Sequence, residues 1–336
     1  MNSQKSSLEF YHFPVMLSEI IQISKPDKGG LFVDCTFGGG GYSKALLKFP
    51  NTKIVAIDRD PHVISIANRI KKKFKNRFQF FQSRFSQIDK ILKEDADTII
   101  IDLGLSSIQL NNLDRGFSFK SKKKLDMTMG LTDKSAQDVI NNLSETQLML
   151  IIKILGEEKD AKKIASNIVK ARIKKKITKV NELVDIIERS KKRNFSTKIN
   201  PSTKTFQALR IFVNKETTEL INGIIKASKL LKPGGRILTV SFHSIEDKII
   251  KYFFKNFSNN KSKPSRYLPE DKSGDIYLFE KYSNKVIKPS QDEIKENNSS
   301  RSAKLRYAIR SDKQFFFPND LIKKFNRYLD IEEINV

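Results

Sequence analysis

The chain has 336 residues, 38% hydrophobic and 10% aromatic, enough for a sizeable buried core, and it carries one cysteine, three histidines and a formal net charge of +25. A lone cysteine excludes an internal disulfide framework, three histidines argue against a dedicated metal centre, and no run reaches the roughly 18–20 apolar residues of a membrane span. The first dozen residues also lack the apolar core of a secretory leader, so the expected location is cytoplasmic. The excess of lysine points to a polyanionic partner, nucleic acid first, although abundant isoleucine and asparagine beside it also fit an AT-rich coding sequence.

Four short apolar runs occupy the first hundred residues: GLFVDCTF, TKIVAIDRD, RFQFFQS and ADTIIIDLGLSS. Helical stretches separate them; one begins near Tyr42 after the glycine loop, and PHVISIANRIKKKF carries a proline near its start. Continuous apolar strands alternating with helices predict a parallel sheet covered on both faces, an α/β doubly wound domain. The alternation stops at Gln109, and residues 110–199 show no strand pattern. Instead, SETQLMLIIKILG opens on a capping box at Ser144 and Gln147 and can end at Gly156. AKKIASNIVKARIKKK places Ala161, Ile164, Ala165 and Ile168 on one stripe, and NELVDIIERS is a third helix. The expected organisation is an α/β domain in two parts, 1–109 and 200–336, with a helical insertion at 110–199.

The α/β pattern resumes with one long helix, TKTFQALRIFVNKETTELINGIIKASKLL, a KPGG turn, the strand RILTVSFHS, and the helix IEDKIIKYFFKNF capped by Ser244. DIYLFEKYS and AKLRYAIR are expected to pair antiparallel at the sheet edge, with a loop between them. The last twenty residues carry no clear signal.

The stretch VDCTFGGGGYS is the strongest local signal. A glycine loop after the first strand lets backbone amides approach a ligand at the positive end of the next helix. Asp58 ends the second strand about twenty positions past Gly38, where an acid meets ribose hydroxyls. The loop lacks the phosphate-cradling lysine pattern of nucleotide triphosphatases. GGGGYS is one residue short of the dinucleotide fingerprint, with Ser43 where a third glycine or alanine packs closest, so S-adenosylmethionine and NAD both stay open. Asp102, at the end of the fourth strand, can face a donor's ammonium or an acceptor amine, or it can cap the next helix. His243 is a candidate base or a structural residue, and Cys35 reads as a small core residue.

With these residues in place, the chain resembles the bacterial 16S ribosomal RNA (cytosine-N4) methyltransferases of the RsmH or MraW type. The likeness runs from about His12 to Arg310 through HFPVML, VDCTFGGGGYS, AIDRDP, DLGLSSIQL, RGFSF, LDMTM, TFQALRIFVN, GGRILTVSFHSIEDKIIK and RSAKLR, in that order. It implies a Rossmann-like class I methyltransferase sheet with an inserted all-helical domain, using S-adenosyl-L-methionine. It also implies a donor site at Gly40, Gly41, Tyr42, Asp58, Phe85, Asp102 and Gln109, with Phe85 beside the adenine. The implied reaction is N4-methylation of the cytosine usually numbered 1402 in 16S rRNA, within the small ribosomal subunit. Lysines at 120–124, 170–176 and 191–193 make the insertion the expected RNA grip.

The chain departs from the family pattern at Tyr42, where histidine is usual, in LDMTMG for LDMRMD, and in NPSTKTFQ for HPATRTFQ. No covalent nucleophile is needed, and Asp102 or the LGLSS backbone is the candidate for orienting the amine. Three other readings are a DNA amino-methyltransferase, an NAD-dependent oxidoreductase and a non-catalytic RNA-binding factor. The first usually shows an Asn/Asp/Ser-Pro-Pro-aromatic motif where this chain has DLGLSS.

Overall fold

The computed structural model describes residues 14–191, 200–259 and 276–336. A seven-stranded sheet runs through the molecule in the order β3-β2-β1-β4-β5-β7-β6. The strands are β1 (Gly30–Asp34), β2 (Thr52–Asp58), β3 (Phe78–Gln82), β4 (Ala96–Asp102), β5 (Leu231–Ser241), β6 (Phe279–Tyr282) and β7 (Lys304–Arg310). The first five are parallel, with Val33 opposite both Val55 and Ile99, and Asp102 opposite Val240. β7 pairs antiparallel with β5, and β6 with β7, as the two late runs predict.

Because side chains alternate along a strand, the sheet divides the core in two. Phe32, Ile54, Ala56, Ile100, Leu238 and Val240 face one side. There they meet α1 (Leu17–Ser24), α2 (Gly41–Leu46) and α3 (Ile64–Phe74) through Ile20, Leu46, Ala67 and Ile70. Leu31, Val33, Val55, Ile57, Ile99 and Ile101 face the other side. That second core continues without a break through Ile88 of α4 (Ile88–Ile91) into the helices that follow β4.

The helices that follow β4 are α5 (Ser107–Asn111), α6 (Ala136–Asn142), α7 (Glu145–Leu155), α8 (Ala161–Lys174) and α9 (Val180–Ser190), and this core takes in the last four of them. The capping box at Ser144 and Gln147 forms as expected, and Gly156 is the residue that ends α7. The apolar stripes of α7 and α8, including Ile151, Ile152, Ile164 and Ile168, are buried in the same cluster as the sheet face. The helical stretch thus sits on the sheet's own core rather than building a separate one. Residues 192–199, the end of the expected insertion, lie outside the described residues.

Three expectations about the second half change. The long helix is two, α10 (Thr203–Asn214) and α11 (Glu216–Lys229), broken at Lys215, which has φ +50°. The break lets Arg210 clasp Glu216 across the corner through two hydrogen bonds of 2.9 Å. KPGG is not a turn outside the strand, because β5 begins at Leu231 and absorbs it, with an irregular register between Ala96 and Thr98. The segment between β6 and β7 is not a plain loop, since it holds α13 (Gln291–Glu296). After α12 (Ser244–Asn256), the chain closes with α14 (Asn319–Glu332), whose sequence gave no clear signal. Glu332 accepts hydrogen bonds from the backbone N–H groups of Thr217 and Thr218, both at 2.8 Å, and so fastens α14 to the start of α11.

Candidate active site

At the carboxyl ends of β1 and β4, where the strand order reverses direction, lies a cavity of about 350 Å³. This is the position at which open α/β sheets bind ligands. Its walls come from the glycine loop, from Asp58 and Arg59, from Phe85, from the 102–111 segment and from Phe242, Glu216, Glu219 and Glu246. Pro14 and Val15 close one rim, and Asn297 and Ser299 beyond α13 also line it.

The expected donor glycines, Gly40 and Gly41, take different places in the loop. Gly38, Gly39 and Gly41 line the cavity, but Gly40 does not. Its φ is +72°, its N–H donates to the Phe37 carbonyl at 2.7 Å, and a Cβ there would lie 2.8–2.9 Å from the Phe37 ring and Ile70. Gly40 therefore makes the turn that starts α2, and its neighbours face the cavity. Ser43 is buried and donates to Asp34 Oδ2 at 2.7 Å, which explains a hydroxyl at that packed position.

Asp58 carries out two tasks. Its Oδ2 accepts from the Gly38 N–H at 2.7 Å and its Oδ1 from the Asp60 N–H at 2.9 Å, so the carboxylate holds the loop while each oxygen keeps a further lone pair. Phe85 packs on α11 where Gly223 stands, and a Cβ on that glycine would come within 2.2 Å of the ring. Gln109 is buried, with its amide committed: Nε2 donates to Asp60 Oδ2 at 2.9 Å and Oε1 accepts from the Ser106 N–H at 3.0 Å. It shapes the wall rather than offering a free polar edge.

Asp102 does not cap the following helix. Ser106 does, in a capping box with Gln109, which leaves the Asp102 carboxyl at the cavity wall. Its Oδ2 lies 3.2 Å from the Tyr42 hydroxyl, and its Oδ1 is sealed from water without a partner. Burial first, then the field of Asp34 and Glu246, pushes its pKa up to about 8. Burial likewise raises Asp34 and Asp58 to about 6.

A carboxyl raised in the folded state contributes stability that is complete below its unfolded value and lost as pH rises through the folded one. The stability advantage of the donor-free wild type over D102N is therefore expected to shrink steadily as pH rises from about 4 to about 8. Parallel thermal melts across that range check this, and a constant difference would contradict it.

His243, considered as a base, is not among the residues lining the cavity, although Phe242 and Glu246 on either side of it are. It is the N-cap of α12, in place of the expected Ser244, and its Nδ1 accepts from the Glu246 N–H at 3.5 Å. Ser244 donates instead to Glu157. Glu216, His243 and Glu246 bring ligand-type atoms within 4.8 Å of one another, with Arg210 supplying the countercharge at Glu216. Cys35 is buried at the back of the site.

Several stretches that carry the family resemblance meet one another in the structure. Arg115 of RGFSF ion-pairs with Asp60 and donates to the Thr128 carbonyl at 2.7 Å. Asn214 of TFQALRIFVN donates to the Met127 carbonyl at 2.8 Å and accepts from the Met129 N–H at 2.9 Å. Arg59 donates to the carbonyls of Gly130 at 3.1 Å and Asn214 at 2.9 Å. These motifs form one scaffold behind Asp58. Gly130 fits it because its φ is +89° and a Cβ would press the Arg59 carbonyl at 2.5 Å.

In a protein of net charge +25, the cavity is acidic: Asp58, Asp102, Glu216, Glu219 and Glu246 line it, against Arg59. Such a lining suits a cationic nucleoside and disfavours the pyrophosphate of a dinucleotide. The sheet order, the glycine loop, the acid at the end of β2 and this acidic crevice define an α/β methyltransferase.

Within that class, the chain belongs to the MraW methylase family, whose pattern it matches over residues 9–311. It is 42% identical over 301 residues to the ribosomal RNA small subunit methyltransferase H of Bartonella grahamii, covering 90% of each chain. The proteins of the same name from Ehrlichia canis and Parvibaculum lavamentivorans are 41% and 40% identical, over 89% of this chain and 99% and 89% of theirs. As a methylase of this family, the protein takes its methyl group from S-adenosyl-L-methionine.

Proposed function

We propose that the protein transfers a methyl group from S-adenosylmethionine to the exocyclic N4 of a cytosine in 16S rRNA, the one usually numbered 1402, presented by the small ribosomal subunit. The observation that carries this reading is the acidic crevice at the strand ends of a strongly basic chain. In it, Asp58 holds the donor's ribose through its remaining lone pairs, Phe85 lies along the adenine, and the loop from Gly38 to Gly41 gives the backbone room to approach. Tyr42 and Gln109 act as wall, and Asp102 faces the charged end of the donor.

The donor supplies an already activated methyl group, so the protein's work is positioning. The amine nitrogen must approach in line at roughly 3–3.5 Å with water excluded. Its lone pair is delocalised into the pyrimidine, and acceptors aimed at the amine hydrogens favour a nucleophilic geometry as charge develops. Asp102 and the carbonyls of the LGLSS turn are the groups at hand. Enclosure of the site requires the target base to leave its stack.

The helical stretch at 110–199 supplies the RNA grip. Two lysine runs far apart in sequence are joined by an antiparallel bridge between Lys124 and Lys179, with the Leu125 N–H donating to the Thr178 carbonyl at 2.9 Å. Exposed Lys122, Lys123 and Lys124 thereby adjoin exposed Lys174, Lys175, Lys176 and Lys179. Of the third run, 191–193, only Lys191 is described, and it pairs with Glu158 at 2.5 Å.

Changing Lys122, Lys124, Lys176 and Lys179 to glutamate is expected to weaken subunit binding and to flatten its salt dependence, by about one unit of log–log slope per lost phosphate contact. S-adenosylmethionine affinity stays unchanged, and an unaltered salt slope would remove these lysines from the RNA contact.

The test of the reaction is mass spectrometry of rRNA nucleosides after incubation of small subunits with donor and protein, with duplex DNA in parallel. N4-methylcytidine in the subunit rRNA is expected. Methyl on another atom, or transfer confined to DNA, would overturn the reading.

A further inference from the structure

Tyr42 and Asp102 share a hydrogen-bonding problem that Tyr42 has only one proton to solve. The Tyr42 hydroxyl lies 2.6 Å from the Val15 carbonyl and 3.2 Å from Asp102 Oδ2. A carbonyl can only accept, so the shorter contact takes the phenolic proton, and Tyr42 turns a lone pair toward Asp102. An ionised carboxylate there would meet an oxygen lone pair on one side, while its other oxygen is sealed without a donor. A protonated carboxyl instead completes the chain, Asp102 donating to Tyr42 and Tyr42 to Val15.

The elements packed around the group add no positive charge to oppose this. β1 brings Asp34, α2 brings Tyr42, and α12 brings Glu246, and the charges whose fields reach the carboxyl are the two acids. The N–H of Asp102 itself is spent on the Thr36 hydroxyl at 2.8 Å.

We propose that Asp102 is a neutral carboxylic acid in the donor-free protein, with Tyr42 as the positioning residue whose oxygen accepts the hydrogen bond of the Asp102 O–H, and that binding the cationic donor expels this proton to solvent. The inference rests on the donor site proposed above. The change balances as one O–H bond broken at Asp102 and one proton released, so that a positive charge enters the crevice and a negative charge is created beside it. The site is thereby tuned to hold a cation without carrying an unpaired buried anion beforehand. The resulting carboxylate is then in the form that can accept a hydrogen bond from the target amine. Burial points the same way, since it raises the group to about 8.

Calorimetric titration of S-adenosylmethionine into the full chain near pH 7, repeated in buffers of different ionisation enthalpy, counts the protons released. The wild type is expected to release close to one proton per donor bound, D102N none, and Y42F less than the wild type. Infrared difference spectra supply a second readout: a protonated carboxyl stretch present without donor, lost on adding it, and absent from D102N. Donor binding with a buffer-independent enthalpy would overturn this proposal and leave the donor site standing. Absence of any donor binding would instead overturn the donor site. Unchanged release in Y42F would strip Tyr42 of its role, and unchanged release in D102N would move the proton to another group.

Discussion

Replacing Asp58 with alanine is expected to weaken S-adenosylmethionine binding by about 10²- to 10⁴-fold, because two charge-assisted hydrogen bonds to ribose are worth ~1.5–3 kcal/mol each and ~1.4 kcal/mol is tenfold. The loss extends beyond the ligand. Asp58 also receives the Gly38 and Asp60 N–H groups, so its removal loosens the glycine loop and leaves two donors without their acceptor. D58N keeps one accepting oxygen and is expected to fall between alanine and the wild type. The same carboxyl gives the binding a pH dependence. Burial raises it to about 6, so affinity should fall as pH drops through that value, when the carboxylate gains a proton, in addition to the fall below about 8 that proton release from Asp102 imposes. Calorimetric titration of both variants from about pH 5 to about pH 8 is the check. Wild-type affinity in D58A would remove Asp58 from the donor site.

The glycine loop gives a second large effect, with adjacent residues failing in opposite ways. Gly39 lines the cavity and a Cβ on it meets nothing within 4 Å, so valine there projects into ligand space without disturbing the fold. G39V is expected to keep the wild-type melting temperature and lose donor binding. Gly40 has φ +72° and a Cβ that would collide with Phe37 and Ile70. G40A is expected to cost ~2–5 kcal/mol of stability, combining ~1–2 for left-handed backbone and ~1–3 for overpacking. Thermal unfolding and calorimetry on both variants separate the two roles. A G39V protein that binds donor normally, or a G40A protein as stable as the wild type, would contradict this arrangement of the loop.

The contrast between these two glycines shows how far the sequence could be read. Four consecutive glycines announce a turn against a ligand, yet only the backbone path decides which carbon faces the crevice and which faces the core. Asp102 is similar. Its place at a strand end left a cap and a cavity carboxyl as equal readings, and the Ser106–Gln109 capping box settles which of them forms. His243 shows the converse. Its motif suggested a base, while the start of α12 turns the ring into a cap on Glu246.

Local chemistry determined the strands, the glycine turn, the acid after β2, the capping box of α7 and the antiparallel pair at the sheet edge, because apolar periodicity, glycine and proline act within a few residues of themselves. Tertiary structure alone decided the break at Lys215, the scaffold of Arg59, Asp60, Arg115 and Asn214, and the meeting of Tyr42 with Val15 and Asp102. Each of these depends on hydrogen bonds between groups distant along the chain. A side chain's sequence neighbours cannot specify such partners, because they are fixed only when the sheet and its covering helices pack.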